Sequence, residues 1–164
     1  MAARGVCYGA IITAPGTRPM TSAQPLTVLI IEDDPIVALD EVQMVEALGH
    51  EVIGVASEAQ TTYQLADNQV PSIALLDVNL ADGPTGPAIC ARLTGDYGVP
   101  VVFVTANPEQ LPADFGGALG CIEKPFSMST LGAALTFVRR HMAGRRPQGV
   151  PLGLTMAPGL QPAH

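Results

Sequence analysis

The sequence predicts an α/β fold, a doubly wound parallel sheet with helices on both faces. Hydrophobic residues make up 48% of the 164 positions, yet aromatic residues make up only 4% and Trp is absent. A core built from Val, Ile, Leu, Ala and Met is typical of parallel sheets that are buried on both faces. Short apolar runs also alternate with helical patterns along residues 26–142, and the length suits one domain.

Five short apolar runs are predicted as strands. The run at 26–31 is apolar except for Thr27, which indicates a strand buried on both faces. The other four runs cover residues 52–56, 73–76, 99–104 and 121–123. Because helical segments separate the strands, right-handed crossovers give a doubly wound sheet. We predict a flavodoxin-like five-stranded parallel sheet with the strand order 2-1-3-4-5, in which the first strand is central.

Helical patterns fill the gaps between these strands. Pro35 favours the start of the first helix and Gly49 favours its end. Ser57 and Gln60 have the spacing of a capping box, which predicts the start of the second helix. A short third helix is predicted at 86–93.

The last helix has the clearest pattern, whereas the helix before it has the weakest. Apolar residues recur at helical spacing from Leu131 to Met142. Between Thr105 and Lys124 the chain is rich in Pro and Gly instead. The fourth helix is therefore expected to be shortened, irregular or mobile.

The flanks differ in composition from the periodic region. We predict a flexible N-terminal extension at 1–25, one domain at 26–143 and a disordered Pro/Gly-rich tail at 144–164. Met20 is a candidate translation start. The apolar run at 6–13 is far shorter than a membrane span. Three widely spaced cysteines give neither a disulfide framework nor a zinc motif, and a cytoplasmic location is expected.

The charge distribution argues against nucleic-acid binding. Residues 26–142 contain all 15 acidic residues and four of the eight basic ones, so this region carries a net charge of −11. Phosphate backbones are bound by cationic patches. We expect neither direct nucleic-acid contact nor membrane association.

Charged and polar residues follow four of the predicted strands. Glu32-Asp33-Asp34 follows the first strand, Asp77 the third, Thr105 ends the fourth, and Lys124 follows the fifth. The carboxyl ends of parallel strands meet at one edge of the sheet, where ligands bind. Converging carboxylates favour Mg²⁺, and a lysine and a threonine hydroxyl beside them suit a phosphoryl group. Lys124 is the only lysine in the chain.

The chain resembles the receiver domains of bacterial response regulators from about residue 26 to residue 142. Each motif is weak by itself, but four in this order at predicted strand ends are specific. They are Glu32-Asp33-Asp34-Pro35, Leu75-Leu76-Asp77-Val78-Asn79-Leu80, Val104-Thr105-Ala106 and Lys124-Pro125-Phe126.

The resemblance implies that Asp77 is the phosphoacceptor for a sensor histidine kinase or a histidine phosphotransfer protein. It also implies that Thr105 and Lys124 bind the phosphoryl oxygens, and that the Lys124–Pro125 peptide bond is cis. Mg²⁺ is the implied cofactor. Its implied ligands are Glu32, Asp33, Asp77 and the backbone carbonyl of Asn79.

Three departures from the family pattern stand out, and the first is that the stretch between Thr105 and Lys124 is a few residues shorter than usual. Cys121 occupies the position, three residues before the lysine, where many receivers carry a switch aromatic. We therefore expect output to travel through the loop at 106–120. The turn Asp82-Gly83-Pro84-Thr85-Gly86 replaces the usual Met-Pro turn and, together with residues 100–103, resembles alphaproteobacterial single-domain receivers paired with HWE-type kinases.

Three functions remain open. The leading one is a stand-alone receiver that relays phosphate, drains it from a kinase, or signals to an unknown downstream protein. A pseudo-receiver acting as a phosphorylation-independent scaffold is the alternative. An enzyme of the haloacid dehalogenase type is disfavoured, because that family needs a carboxylate two residues after the first and this chain has Asn79 there.

Overall fold

The computed structural model describes residues 24–161, which form one sheet flanked by helices. The strands are β1 (Thr27–Ile31), β2 (Glu51–Ala56), β3 (Ile73–Leu76), β4 (Val101–Thr105), β5 (Gly120–Glu123) and β6 (Leu154–Met156). The helices are α1 (Pro35–Ala47), α2 (Ala59–Asn68), α3 (Gly86–Asp96) and α4 (Met128–Met142). The predicted N-terminal extension, apart from residues 24 and 25, lies outside the described residues.

The strand order is β2-β1-β3-β4-β5-β6. The first five strands are parallel, as predicted, and they have the predicted order 2-1-3-4-5. The predicted number of strands was wrong, because β6 adds a sixth strand antiparallel to β5.

The prediction of a disordered tail at 144–164 was also wrong where β6 forms. Leu154 and Met156 are each only 3% exposed and pack in the core. The segment is ordered by its hydrogen bonds to β5 and by burial of its apolar side chains against the domain. Order that depends on contacts with the rest of the domain cannot be predicted from the composition of the segment alone. Residues 162–164 lie outside the described part of the chain.

Two apolar layers hold the helices against the sheet. Val28 and Ile30 of β1 belong to the layer that includes α1 and α4, whereas Leu29 and Ile31 belong to the layer that includes α2 and α3. The alternation follows from the two-residue period of a strand. Burying each of these side chains contributes about 1.5–3 kcal/mol, and together they keep the carboxyl ends of the strands at one edge.

The helix starts differ in how they are capped. Asp34 caps α1 by accepting hydrogen bonds from the backbone N–H groups of Ile36 and Val37, at 2.8 and 3.3 Å. The predicted capping box of Ser57 and Gln60 was wrong, because α2 begins at Ala59 without a side-chain cap from its own N-cap residue. The Ala59 N–H instead donates to the Asp82 carboxylate at 3.0 Å.

The segment between β4 and β5 is irregular, as predicted. It contains two single 3₁₀ turns, Pro108–Gln110 and Phe115–Gly117, in place of an α-helix. Three consecutive residues, Phe115, Gly116 and Gly117, have positive φ, which a right-handed helix cannot accommodate. None of the described helices is long and apolar enough to cross a lipid bilayer.

Candidate functional site

The carboxyl ends of four adjacent strands meet at one edge of the sheet. Ile31 of β1 is in register with Leu76 of β3, so Glu32 and Asp77 follow at equivalent positions. Thr105 ends β4, and the Lys124 N–H donates to the Thr105 carbonyl at 2.9 Å. We call Glu32, Asp77, Thr105 and Lys124 the Asp77 site.

A buried ion-pair network joins three members of this site. The Lys124 Nζ donates to the Asp77 Oδ2 at 2.7 Å and also to the Glu32 Oε2. The side chains of Lys124, Asp77 and Glu32 are 16%, 12% and 3% exposed. One ammonium therefore serves two carboxylates in a setting where little water can screen their charges. The expected cis bond at Lys124–Pro125 is present.

The surroundings shift the proton affinity of both ends of this network. Burial acts to lower the pKa of Lys124, but hydrogen bonds and charge from Asp77 and Glu32 outweigh it and raise that pKa above its ordinary value. Burial raises the pKa of Glu32, against the hydrogen bonds from Lys124 and the Asp34 backbone. The ammonium is therefore held charged beside Asp77.

The Asp77 carboxylate is held at both oxygens but remains accessible. Its Oδ1 accepts from the N–H of Val78 at 2.6 Å and from the N–H of Asn79 at 3.4 Å. Its Oδ2 accepts from Lys124. Backbone and ammonium donors thus orient one partly exposed carboxylate, as a nucleophilic oxygen requires.

Thr105 is brought to the same edge but makes different contacts. It is fully buried, and its Oγ1 accepts a hydrogen bond from the Asn107 N–H at 3.1 Å. Because the hydroxyl accepts this bond, its own proton remains available as a donor. In the described residues 24–161, the Thr105 hydroxyl is not hydrogen-bonded to Asp77 or Lys124.

Residues 28–136 match the family model of the response regulator receiver domain. The chain belongs to this family. Four residues that the sequence resemblance singled out, Glu32, Asp77, Thr105 and Lys124, lie on adjoining strand ends.

Similar proteins include several regulators named PhyR. The phyllosphere-induced regulator PhyR of Methylorubrum extorquens is 36% identical over 121 residues, which cover 73% of this chain and 45% of that protein. The transcriptional regulatory protein PdtaR of Mycobacterium tuberculosis is 30% identical over 125 residues and is covered to 60%. The chain thus spans about half the length of the first of these relatives and somewhat more of the second.

A solved receiver domain has a similar fold. The solution structure of the PhyR receiver domain from Erythrobacter litoralis is 30% identical and has a TM-score of 0.66, with coverage of 77% of this chain and 97% of that one. The crystal structure of PhyR from Brucella abortus is 33% identical with a TM-score of 0.66, and half of that chain is covered. The similarity thus extends over about three quarters of this chain and almost the whole of one solved receiver domain.

The oxygen donors for a divalent cation are of the right kind but are not gathered. Glu32 and Asp77 are bridged by Lys124, Asp33 is exposed, and Asp34 caps α1. In the described part of the chain, no three His, Cys, Asp or Glu side chains are arranged to hold a metal ion. Two carboxylates around one ammonium leave an excess negative charge, and carboxylate and carbonyl oxygens suit Mg²⁺.

The loop after Asp77 packs so closely that α3 must begin with glycine. A Cβ on Gly86 would lie 2.4 Å from the Asp77 carbonyl oxygen and 2.7 Å from the Val78 Cα. The same loop places Asp82 against the start of α2. Backbone packing therefore fixes the peptide between Asp77 and Val78.

Cys121, at the position of the absent switch aromatic, faces the core. It is 4% exposed and belongs to the apolar layer that includes α2 and α3. Burial raises the pKa of its thiol to about 11, so the thiol is protonated at neutral pH. This agrees with a small buried apolar side chain.

Glu41 is a member of this region that the sequence reasoning missed. It is 3% exposed on α1, and its Oε1 has no hydrogen-bond partner in the described structure. Burial first, and the charges of Glu32, Asp77 and Asp40, raise its pKa to about 8 against the opposing charge of Lys124. With Lys124 it lines a cavity of about 500 Å³ between α1 and Phe126. Its spacing from Ala38 and Val45, three and four residues away, was the available signal.

Proposed function

We propose that this chain is a response regulator receiver that accepts a phosphoryl group on Asp77. The observation that carries the proposal is the 2.7 Å contact between the Asp77 Oδ2 and the Lys124 Nζ at a partly exposed strand end. The phosphoryl donor is a sensor histidine kinase or a histidine phosphotransfer protein. Membership of the receiver family supports this assignment.

In the transfer step, a carboxylate oxygen of Asp77 attacks the phosphorus of a phosphohistidine. A P–O bond forms to Asp77 as the P–N bond to the imidazole breaks, and the released imidazole keeps the electron pair of that bond. Lys124, freed from its bond to Asp77, then pairs with a phosphoryl oxygen, since its ammonium is a compact point charge. In the later hydrolysis, a water oxygen attacks the same phosphorus, the P–O bond to Asp77 breaks, and inorganic phosphate leaves while Asp77 returns to the free carboxylate.

Thr105 and the acidic residues have supporting roles in this proposal. The Thr105 hydroxyl donates its free proton to a second phosphoryl oxygen. Glu32, Asp33, Asp77 and the carbonyl oxygen of Asn79 would hold Mg²⁺. When bound, this ion offsets negative charge on the phosphoryl oxygens. The apolar side chains of Ile36 and Leu39, 79% and 57% exposed on α1, provide a surface beside the site for the donor protein.

The phosphorylated chain relays the group, drains it from a kinase, or signals through contact with a downstream protein. The alternative is a phosphorylation-independent scaffold. Cys121 favours this alternative, because no aromatic side chain is present at that position to change its conformation when Thr105 moves. The two functions differ in one measurable property, the gain of a phosphoryl group.

Incubation with acetyl phosphate and Mg²⁺, followed by intact mass measurement, tests the proposal. We expect the mass of one phosphoryl group on the wild type and on Asp96→Asn, a control in which an exposed carboxylate is removed. We expect no gain in Asp77→Asn. A gain of equal size in Asp77→Asn would place the acceptor elsewhere, and no gain in any of the three proteins would favour the scaffold.

A further inference from the structure

The C-terminal segment closes one edge of the sheet. We call residues 150–157, which contain β6, the strap. Met156, Thr155 and Leu154 lie opposite Gly120, Cys121 and Ile122 of β5, and the Ala157 N–H donates to the Leu119 carbonyl at 2.9 Å. Without the strap, β5 would present unpaired backbone groups at the end of the sheet.

Alternate side chains of the strap enter the core. Leu154 and Met156 are each 3% exposed and pack in the layer that contains α4, whereas Thr155 between them is exposed. Leu152, which precedes β6, is 69% exposed. The binding surface therefore selects an extended segment with apolar residues two positions apart. This is the pattern by which a sheet edge accepts an added strand.

Both partners are shaped for this contact. A Cβ on Gly120 of β5 would lie 2.6 Å from the Thr155 carbonyl oxygen. A Cβ on Gly153, which has a φ of +71°, would lie 2.6 Å from the Thr130 Cγ2 of α4. Glycine is thus needed at position 120 in β5 and at position 153 in the strap, which indicates that the two surfaces are complementary in shape.

The strap also adjoins the Asp77 site. A cavity of about 830 Å³ separates it from the loop after β5, and its lining includes Lys124, Pro125, Pro151 and Leu154. Ile122, which pairs with Leu154, is two residues from Lys124. Lys124 thus links the Asp77 site directly to the strand that holds the strap.

We propose that the strap is a removable cover on a strand-accepting edge, and that phosphorylation of Asp77 loosens it. The edge that it leaves is formed by β5 and α4, and it binds an extended segment of a partner protein with apolar residues at alternate positions. The proposal that the strap covers this edge rests on the strap contacts alone. The proposal that phosphorylation loosens the strap rests on the proposed phosphorylation of Asp77.

Hydrogen exchange of the full chain, read by mass spectrometry with the intact mass of the same sample, tests the coupling. With acetyl phosphate and Mg²⁺ we expect amides of 154–157 to exchange at least tenfold faster, while those of β1 and β3 stay protected. Phosphoryl gain without faster strap exchange would overturn the coupling. Absence of phosphoryl gain would instead contradict the proposed function.

Peptide capture tests the edge without phosphorylation. We expect Leu154→Asp to release the strap and to bind a fluorescent peptide of residues 150–160 at least tenfold more tightly than Leu152→Asp, the matched exposed control. Gly153→Val, which drives the strap against Thr130, provides a second release variant if Leu154→Asp loses protection in β1 and β3. Equal peptide affinity of the release variant and the control would contradict the proposal that the strap covers a strand-accepting edge.

Discussion

The Asp77 site and the β5–β6 edge are both buried, but they are held together by different forces. At the Asp77 site, the ionic side chains follow β1, β3 and β5, and each of these strands is held between two neighbouring strands. At the β5–β6 edge, a three-residue strand depends on one partner strand and a few apolar side chains. Removing one ionic side chain should therefore destabilise the whole domain at the Asp77 site. At the β5–β6 edge, in contrast, loss of an apolar contact should only detach β6.

The largest effect is expected from loss of the ammonium. Lys124→Met leaves Glu32 and Asp77 close together and partly dehydrated without a counter-charge, so we expect a loss of about 3–5 kcal/mol in the free energy of unfolding. Lys124→Arg keeps the charge and the fold but should reduce phosphoryl uptake, because a guanidinium fork does not replace a point charge.

Urea unfolding followed by circular dichroism measures the first effect, and intact mass after acetyl phosphate treatment measures the second. Asp96→Asn, in an exposed pair with Arg92, is the control and should change stability by less than about 1 kcal/mol. Wild-type stability of Lys124→Met would show that the two carboxylates do not need the ammonium.

A smaller effect should distinguish the two regions directly. Leu75 in β3 and Leu154 in β6 are 1% and 3% exposed. Leu75→Ala should lower the free energy of unfolding by about 2–5 kcal/mol, because the central sheet cannot collapse around the cavity. Leu154→Ala should cost about 1 kcal/mol, since the edge strand can detach while the rest stays folded.

Denaturant unfolding of the two leucine variants provides this comparison, with Leu152→Ala as the exposed control. Equal costs for Leu75→Ala and Leu154→Ala would show that β6 unfolds together with the domain. In that case the contrast between a rigid site and a detachable edge would be wrong.

The same contrast explains what the sequence could predict. The runs that became β1, β3 and β4 are apolar enough to be recognised locally, and charged residues after them stand out against the hydrophobic background. Parallel strand order then brings Glu32, Asp77, Thr105 and Lys124 to one edge. The fold, and the closeness of these four residues, could be predicted from the sequence because the local patterns and the overall fold agree.

Other features could not be read locally. The strand β6 is short, and its order depends on a groove on β5 and α4 that exists only after folding. The cap on α2 comes from Asp82, which is 23 residues away from Ala59. The contact between Lys124 and Glu32 was also unexpected, because the carboxylates were assigned to a metal and not to the lysine.

Glu41 gives the last test, since its buried carboxyl belongs to the Asp77 end but lacks a hydrogen-bond partner for one oxygen in the described structure. Its pKa is raised from 4.5 to about 8 in the folded protein. Between these values the unfolded chain has released a proton that the folded chain retains. The stability contributed by the protonated carboxyl is therefore complete below about pH 4.5 and is lost as pH rises toward 8.

Glu41→Gln removes this titration and should leave the protein about 4–5 kcal/mol more stable than wild type near pH 9, with little difference near pH 4.5. Urea unfolding at both pH values measures the change, and Glu46→Gln, on the exposed face of α1, is the control. If Glu41→Gln and Glu46→Gln followed the same pH dependence, the Glu41 carboxyl would titrate as a solvated group. The tightly held end of the sheet would then be open to water at α1, which would weaken the contrast with the β5–β6 edge.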